Sequence, residues 1–212
     1  MSLTSIKTGK NYCTFYIVRH GQSEWNVKEL LQGHTDIPLN KTGEKQARQL
    51  AKKLNQINFA MVFSSDLLRA KRTAELIVLE KKIAIKTTKA LRERYFGRFE
   101  GIKWRENKEY QVLINNFLNL SKEERYKKKP YEGTESDEEL ISRFITFLRE
   151  VAVAYRNKNV LVVTHGGVMR AFLNHLGNNL KPGSINNTAY LIIDSDGVDF
   201  FIRETCGIEK NS

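Results

Sequence analysis

The segment FYIVRHGQSEWN, residues 15–26, places a short apolar run directly before Arg19, His20 and Gly21. The run that begins at Cys13 is rich in aromatic and β-branched residues, which predicts a buried strand over residues 13–19. Burying a charged or polar group costs free energy unless it finds a partner, so a core strand gains no stability from an arginine and an imidazole at its end. The arrangement therefore indicates a binding or reaction site.

Two further predicted strands are followed by residues of the same kind. Residues 59–64 form a second apolar run, and Arg69 lies about one turn into the helix predicted after it. A third run, Asn159–Thr164, is followed by His165 and Gly166. The chain contains 4 histidines, and a single histidine after a strand is usually an ordinary hydrogen-bonded loop residue. Two at strand ends, each with an arginine nearby, indicate a shared site instead.

Predicted strands alternate with helical patterns along the chain. Helical spacing of apolar residues covers residues 42–56 after a Thr42 cap, and residues 168–176 form another helix. Ser136 and Glu139 form a capping box that begins a long helix. This alternation predicts an α/β fold, with a mainly parallel sheet covered by helices on both faces. The ligand crevice of such a sheet lies at the carboxyl ends of its strands.

Length and composition narrow the class of protein. A chain of 212 residues with 41% hydrophobic residues fits one domain, residues 1–212, with a helical insertion around residues 103–135. No apolar run approaches the roughly 20 residues of a membrane span, so no membrane partner is expected. Cys13 and Cys206 form no metal or redox spacing, which favours a reducing, cytoplasmic location.

The formal net charge of +11 admits more than one interpretation. A solvated, lysine-rich surface accounts for it, and so does a cleft that attracts small anions. Nucleic acid is not expected as a partner, because the lysines are scattered and no basic patch interleaved with aromatic residues occurs.

Two histidines and two arginines at one edge of a sheet suit phosphoryl transfer. Arginine side chains match phosphate oxygens bidentately and stabilise their charge. A neutral imidazole can attack phosphorus and form a phosphohistidine. The leaving alkoxide then needs a proton, and Glu93 in the segment ALRERYFGRFEG, residues 90–101, is the candidate acid. A loop glutamate is weak evidence by itself, and Glu93 gains weight only from this context.

Six blocks of sequence occur in an order that resembles the histidine phosphatase superfamily, in its phosphoglycerate-mutase-like branch. The resemblance runs over about residues 15–193. The blocks are VRHGQSEWN, QGHTDIPLNKTGEKQA, FSSDLLRAKRTAE, LRERYFGRFEG, EGTES and VLVVTHGGVMRA. The resemblance implies a three-layer α/β/α sandwich with one antiparallel strand, which the terminal hairpin around residues 195–197 can supply.

The resemblance also implies a role for each matching residue. His20 takes the phosphoryl group, and Glu93 protonates the leaving oxygen and later activates water. The residues implied to bind the phosphate and stabilise its charge are Arg19, Arg69 and His165. The residues expected to contact the substrate are Asn26, Gln32, Gly33, Arg94 and Gly166. Neither a metal ion nor a cofactor is implied, because the arginines and the histidine take the place of a magnesium ion.

The superfamily contains both phosphatases and mutases. The resemblance implies that true mutases carry adjacent arginines in an insertion after the acid, and no such pair lies between Glu93 and His165. The resemblance also places Phe96 where mutases typically have a tyrosine, and Trp104 near where they have a lysine. We therefore expect a phosphomonoesterase that hydrolyses a small phosphorylated metabolite, such as a sugar phosphate. A cofactor-dependent phosphoglycerate mutase is the alternative.

An inactive phosphate-binding protein is less favoured, since none of the core residues is lost. A small phosphate ester is the expected partner, and a homodimer is a possible assembly. Arg98 and Lys103 are candidates for binding a second anionic group on the substrate, although an exposed basic loop explains them equally well.

Overall fold

The computed structural model describes residues 11–209, which form a six-stranded sheet with helices around it. The strands are β1 (Cys13–Arg19), β2 (Phe59–Ser65), β3 (Ile85–Thr88), β4 (Asn159–Thr164), β5 (Ile185–Ser195) and β6 (Phe200–Ile208). The helices are α1 (Glu24–Val27), α2 (Lys41–Lys53), α3 (Leu68–Val78), α4 (Lys108–Leu118), α5 (Lys122–Lys127), α6 (Asp137–Ala154) and α7 (Gly166–His175).

The strand order in the sheet is β3-β2-β4-β1-β5-β6. Strands β3, β2, β4 and β1 pair in parallel, and β5 is antiparallel to both of its neighbours, β1 and β6. Strand β5 therefore runs against the rest of the sheet, and the predicted sheet with one antiparallel strand is confirmed. Because β4 lies between β1 and β2, the three strand ends that carry Arg19, Arg69 and His165 are neighbours.

Alternate residues of β1 face opposite layers. Phe15 and Ile17 belong to one apolar cluster, which also contains Phe144 of α6 and Phe172 of α7. Val18 belongs to a second cluster, on the other face, with Leu50 of α2 and Ile77 of α3. This two-residue period buries both faces of a central strand, as a doubly covered sheet requires. The three-layer α/β/α sandwich is confirmed.

The region predicted as a helical insertion contains α4 and α5. It has a small aromatic cluster of its own, in which Phe99, Tyr110 and Tyr131 pack edge to face. The residues directly before it bind the segment after α1. The amide of Gly101 donates to the carbonyl oxygen of Leu31 (2.8 Å), and the amide of Leu31 donates to the carbonyl oxygen of Ile102 (3.1 Å). The insertion is thereby fixed beside the carboxyl end of β1.

Two helices begin earlier than their sequence patterns suggest. Helix α2 begins at Lys41 because the Asn40 side chain, not Thr42, caps it by accepting from the amide of Gly43 (2.8 Å). Helix α7 begins at Gly166, directly after the extended backbone of His165. None of the helices among residues 11–209 has the length and apolar character that crossing a membrane requires.

Candidate active site

A cavity of about 340 Å³ lies at the carboxyl ends of β1, β2 and β4. Its wall contains Arg19 at the end of β1, His20 directly after it, Arg69 after β2 and Glu93 after β3. His165 lies directly behind this wall, with its ring centroid 5.1 Å from that of His20. The structure therefore brings together all five residues predicted to be catalytic.

His20 is buried in a geometry that defines its tautomer. Its Nδ1–H donates to the carbonyl oxygen of Gly21 (2.7 Å), so in the neutral ring the lone pair lies on Nε2. Burial lowers the pKa of His20 well below its usual value, and the charges of Arg69 and Arg19 lower it further. The imidazole is therefore neutral at physiological pH, which is the nucleophilic form.

The end of β1 holds His20 through its backbone as well. The His20 amide donates to the carbonyl oxygen of Thr164 (3.0 Å), and the Asn187 side chain donates to the carbonyl oxygen of His20 (3.1 Å). Gly21 touches the start of α2 so closely that a side chain there would overlap the backbone of Gly43. The nucleophile is thus positioned by β4, β5 and α2 together.

Arg69 is fully buried and rigidly held. Its Nη1 donates to the carbonyl oxygen of Thr35 (2.9 Å) and its Nη2 to that of Gly33 (2.7 Å). Burial lowers the pKa of Arg69 to about 10, so the guanidinium stays charged at neutral pH. Arg19 is held in a similar way, because its Nη1 donates to the carbonyl oxygen of Ile185.

Several buried side-chain atoms around the cavity have no hydrogen-bond partner. Within residues 11–209 these atoms are Nε of Arg19, Nε of Arg69, both ring nitrogens of His165 and Oγ of Ser184. Leaving such a group unpaired costs about 1–3 kcal/mol, so native proteins rarely collect them without a ligand. Their convergence at one cavity suits a tetrahedral anion with several acceptor oxygens.

Glu93 lines the cavity from the irregular segment that follows β3. Its two carboxylate oxygens accept from the amides of Arg94 (2.8 Å) and Gly167 (2.9 Å). A side chain at Gly167 would overlap this carboxylate, so only glycine permits the approach. Glu93 is therefore fixed beside the first turn of α7, on the wall of the cavity that His20 also lines.

The predicted substrate-contacting residues separate into two groups. Asn26, Gln32 and Gly166 line the cavity. Gly33 does not line it, and acts instead through its carbonyl oxygen, which holds Arg69. Arg94 does not line it either, because its guanidinium binds the carbonyl oxygen of Glu135 and the carboxylate of Asp137.

The basic residues considered for a second anion also point elsewhere. Arg98 pairs with Glu109 (2.6 Å) and Lys103 with Glu106 (3.1 Å), and all four side chains are more than half exposed. Neither basic residue lines the cavity. Among residues 11–209, no group of three or more histidine, cysteine or acidic side chains is arranged to hold a metal ion.

Sequence reasoning missed several residues of the cavity wall, notably Ser184 and Arg170. Arg170 had a usable signal, since it follows Gly166 by four residues in a predicted helix and so shares a face with it. Ser184 had none, because it lies in an irregular segment before β5 whose path depends on the whole sheet.

Glu100 organises the loop that holds Arg69. Its Oε1 accepts from the amides of His34 (2.8 Å) and Phe96 (3.2 Å), and its Oε2 accepts from the amide (2.8 Å) and hydroxyl (2.6 Å) of Thr35. The carboxylate therefore fixes residues 33–35, whose carbonyl oxygens bind Arg69. A side chain at Gly33, where φ is +50°, would overlap Glu100.

We expect Glu100→Gln to weaken phosphate binding about tenfold. The glutamine side chain would place an NH₂ group where a carboxylate oxygen now accepts a hydrogen bond, so two donors would face each other. The loop whose carbonyl oxygens hold Arg69 would then shift. The measurement is competitive inhibition by inorganic phosphate during hydrolysis of p-nitrophenyl phosphate. Glu44→Gln, which removes a surface partner of Arg72, is the control. A lower melting temperature with unchanged phosphate inhibition would show that Glu100 acts on stability alone.

The buried histidines should make stability depend on pH. Burial is the main cause that lowers the pKa of both His20 and His165, whereas the unfolded chain titrates near 6.5. Below that pH the unfolded state binds more protons, so the free energy of unfolding falls by up to about 1.4 kcal/mol per pH unit for each histidine. Urea unfolding in phosphate-free buffer should show this loss between pH 7 and 5, and His165→Asn should reduce it. Equal stability at both pH values would contradict it.

Comparison with known proteins identifies the family of the chain. Residues 15–205 match the profile of the histidine phosphatase superfamily (branch 1). The chain is 36% identical to an uncharacterized phosphatase of Bacillus subtilis over 76% of this chain and 75% of that protein. It is 32% identical to a broad-specificity phosphatase of Saccharomyces cerevisiae over 91% of this chain and 85% of the relative. A crystal structure of phosphoglycerate mutase from Bacillus anthracis superposes with a TM-score of 0.80 at 26% identity, over 94% of each chain. The chain therefore belongs to the histidine phosphatase superfamily.

Proposed function

We propose that the protein is a phosphomonoesterase that hydrolyses a small phosphate ester through a phosphohistidine intermediate. One observation carries the proposal: the neutral, buried His20, with its lone pair on Nε2, lines the same cavity as Arg19 and Arg69, whose Nε atoms have no hydrogen-bond partner, and its ring centroid lies 5.1 Å from that of His165. A phosphoryl group bound by these donors would lie against the nucleophile. The phosphatase names of its relatives support the same activity.

In the first step, Nε2 of His20 attacks phosphorus, and the bond from phosphorus to the ester oxygen breaks. The Glu93 carboxyl group donates its proton to the departing oxygen, which leaves as the alcohol. The imidazolium that forms is stabilised by its Nδ1–H bond to the carbonyl oxygen of Gly21. Arg19 and Arg69 neutralise the charge on the phosphoryl oxygens, as cationic clamps do in other phosphoryl transfers.

In the second step, water replaces the alcohol. The Glu93 carboxylate takes a proton from this water, and the hydroxide oxygen attacks phosphorus while the bond to Nε2 breaks. Inorganic phosphate is released, and His20 returns to its neutral state. These residues supply the charge that the reaction requires, so we propose that catalysis needs no metal ion.

A phosphoglycerate mutase is the second candidate, favoured by the structural match to the enzyme from Bacillus anthracis. Hydrolysis is favoured instead, because Phe96 and Trp104 line the cavity at positions where the family resemblance implies a tyrosine and a lysine in mutases. Both free thiols, Cys13 and Cys206, also suit the cytoplasmic location that we propose.

The test is a panel of phosphate esters assayed with and without EDTA, together with the interconversion of 2- and 3-phosphoglycerate. We expect release of inorganic phosphate that EDTA does not change. Faster interconversion than hydrolysis would assign a mutase. Failure to turn over any ester, including p-nitrophenyl phosphate, would refute the phosphatase.

A further inference from the structure

The carbonyl oxygen of Glu93 is bound by two side chains from different parts of the fold. Glu93 lies outside any strand or helix, so its backbone groups need partners of another kind. Nε2 of His34 donates to this carbonyl oxygen (2.9 Å), and Nη2 of Arg143 donates to it as well (3.1 Å). The backbone at the candidate acid is therefore held from the loop under Arg69 and from α6 at once.

Arg143 uses its whole guanidinium in this contact. Its Nη1 donates to the carbonyl oxygen of Ala90 (2.8 Å), and its Nε and Nη2 donate to the two carboxylate oxygens of Glu135 (2.7 and 3.0 Å). The side chains of Arg143 and Glu135 are only 22% and 15% exposed. Arg143 does not line the cavity, so its effect on the reaction passes through the segment that it binds.

The bond to the carbonyl oxygen of Glu93 also orients the carboxylate of the same residue. The peptide unit that joins Glu93 to Arg94 is planar, so the direction of its carbonyl oxygen fixes the direction of its N–H group. That N–H group, the Arg94 amide, donates to the Glu93 carboxylate (2.8 Å). Arg143 thus binds one end of a rigid unit whose other end holds the acid.

An acid held in this way is sensitive to small displacements. Moving a reacting group by about 1 Å can lower a rate about 100-fold. Lysine at position 143 would keep the charge, but its ammonium lacks the planar fork that reaches two carbonyl oxygens and a carboxylate together. The contacts of Arg143 therefore require an arginine and not merely a positive charge.

Arg92 offers a matched control on the same segment. Its Nε and Nη2 donate to the carboxylate oxygens of Asp66 at 2.7 Å each, and both side chains are 25% exposed. This ion pair is similar to that of Arg143 with Glu135 in chemistry and burial, and it adjoins the acid in sequence. Its bonds end on a side chain, however, whereas Arg143 also binds the backbone of Glu93.

We propose that Arg143 is a positioning residue, which holds the Glu93 carboxyl group where it can protonate the leaving oxygen. The inference rests on the proposed phosphatase activity, in which Glu93 is the acid. It adds a residue outside the cavity on which proton transfer depends. Arg143 should therefore matter for esters whose leaving group needs a proton and have little effect on the others.

Phenyl phosphate and p-nitrophenyl phosphate test this role, because they have similar shapes but phenolate needs a proton far more than nitrophenolate does. We expect Arg143→Gln to lower kcat/KM by about 10- to 100-fold for phenyl phosphate and by less than about threefold for p-nitrophenyl phosphate. Arg143→Lys should show part of the loss on phenyl phosphate. Arg92→Gln should change kcat/KM for both esters equally.

Equal effects on the two esters in Arg143→Gln would refute the proposal, and so would the same selective loss in Arg92→Gln. Burial lowers the pKa of His165, and the charge of Arg143 is one of the smaller causes that lower it further. An effect through His165, which binds the phosphate in the proposed reaction, would fall on both esters alike and so count as refutation. If Arg143→Gln does not fold, Arg143→Lys decides by the same comparison.

Amide hydrogen exchange, followed by NMR, reports the position of the carboxylate without turnover. The Gly167 amide donates to the Glu93 carboxylate (2.9 Å), whereas the Met169 amide donates to the backbone at the start of the same helix (3.1 Å). In Arg143→Gln the Gly167 amide should exchange at least about tenfold faster relative to that of Met169, and in Arg92→Gln the ratio should keep its wild-type value. An unchanged ratio in Arg143→Gln would overturn the positioning role even in a protein that hydrolyses no ester, so the two proposals can fail separately.

Discussion

Replacing His20 by alanine should lower kcat on p-nitrophenyl phosphate by about 10⁴- to 10⁶-fold, as the loss of a catalytic nucleophile does in other enzymes. The reason is structural: the substituted cavity keeps both arginines but offers no lone pair to phosphorus. Steady-state assays measure the loss. Brief incubation of wild-type enzyme with labelled substrate should also trap a phosphoenzyme that is labile in acid and stable in base.

His175→Ala is the matched control, because that imidazole is exposed at the end of α7, where it stacks on Tyr126. It should retain both activity and the labelled intermediate. Circular dichroism and a cooperative unfolding transition would show that His20→Ala is folded. A folded His20→Ala protein with wild-type turnover, or with label at another residue, would exclude His20 as the nucleophile.

Glu93→Gln should reduce kcat/KM for alkyl phosphates by about 10²- to 10⁴-fold, the usual contribution of a general acid. The loss should be much smaller with p-nitrophenyl phosphate, since nitrophenolate departs without protonation. The second step also loses its base, so nitrophenolate should appear in a burst equal to the enzyme concentration, followed by slow turnover. Rapid-mixing absorbance measurements record both phases.

Glu109→Gln provides the comparison, because that carboxylate is exposed and pairs only with Arg98 among the described residues. The Glu109→Gln variant should show no burst of nitrophenolate, and any change in its kcat/KM should be the same for alkyl and nitrophenyl esters. An equal loss on alkyl and nitrophenyl esters in Glu93→Gln would mean that Glu93 shapes the cavity without transferring a proton.

The strand ends could be predicted because their signals are local. Apolar runs ending at Arg19 and Thr164 mark buried strands, and the rule for parallel sheets then places their ends side by side. That reasoning brought His20 and His165 together correctly. It could not give the strand order, in which β4 lies between β1 and β2. Which distant strands pair, and in what register, cannot be read from the sequence of either strand alone.

The other site residues were harder to predict, because the sequence does not show in which direction a side chain points. Arg94 adjoins the acid in sequence, yet Asp137, from the start of α6, draws its guanidinium away from the cavity. Arg98 and Lys103 find acidic neighbours on the insertion. Arg170, by contrast, lines the cavity. Which carboxylate pairs with which basic side chain depends on the folded structure, and it cannot be read from the spacing of residues in the sequence.

The position of β4 between β1 and β2 also has a kinetic consequence. Phe15 and Val160 pair across the sheet although about 145 residues separate them in the chain, and loops of that length close slowly. Until β4 inserts, His20 and Arg69 lie on strands that do not touch each other. A form in which β4 has not yet inserted therefore lacks the assembled site, so regain of activity during refolding requires that β4 has entered the sheet.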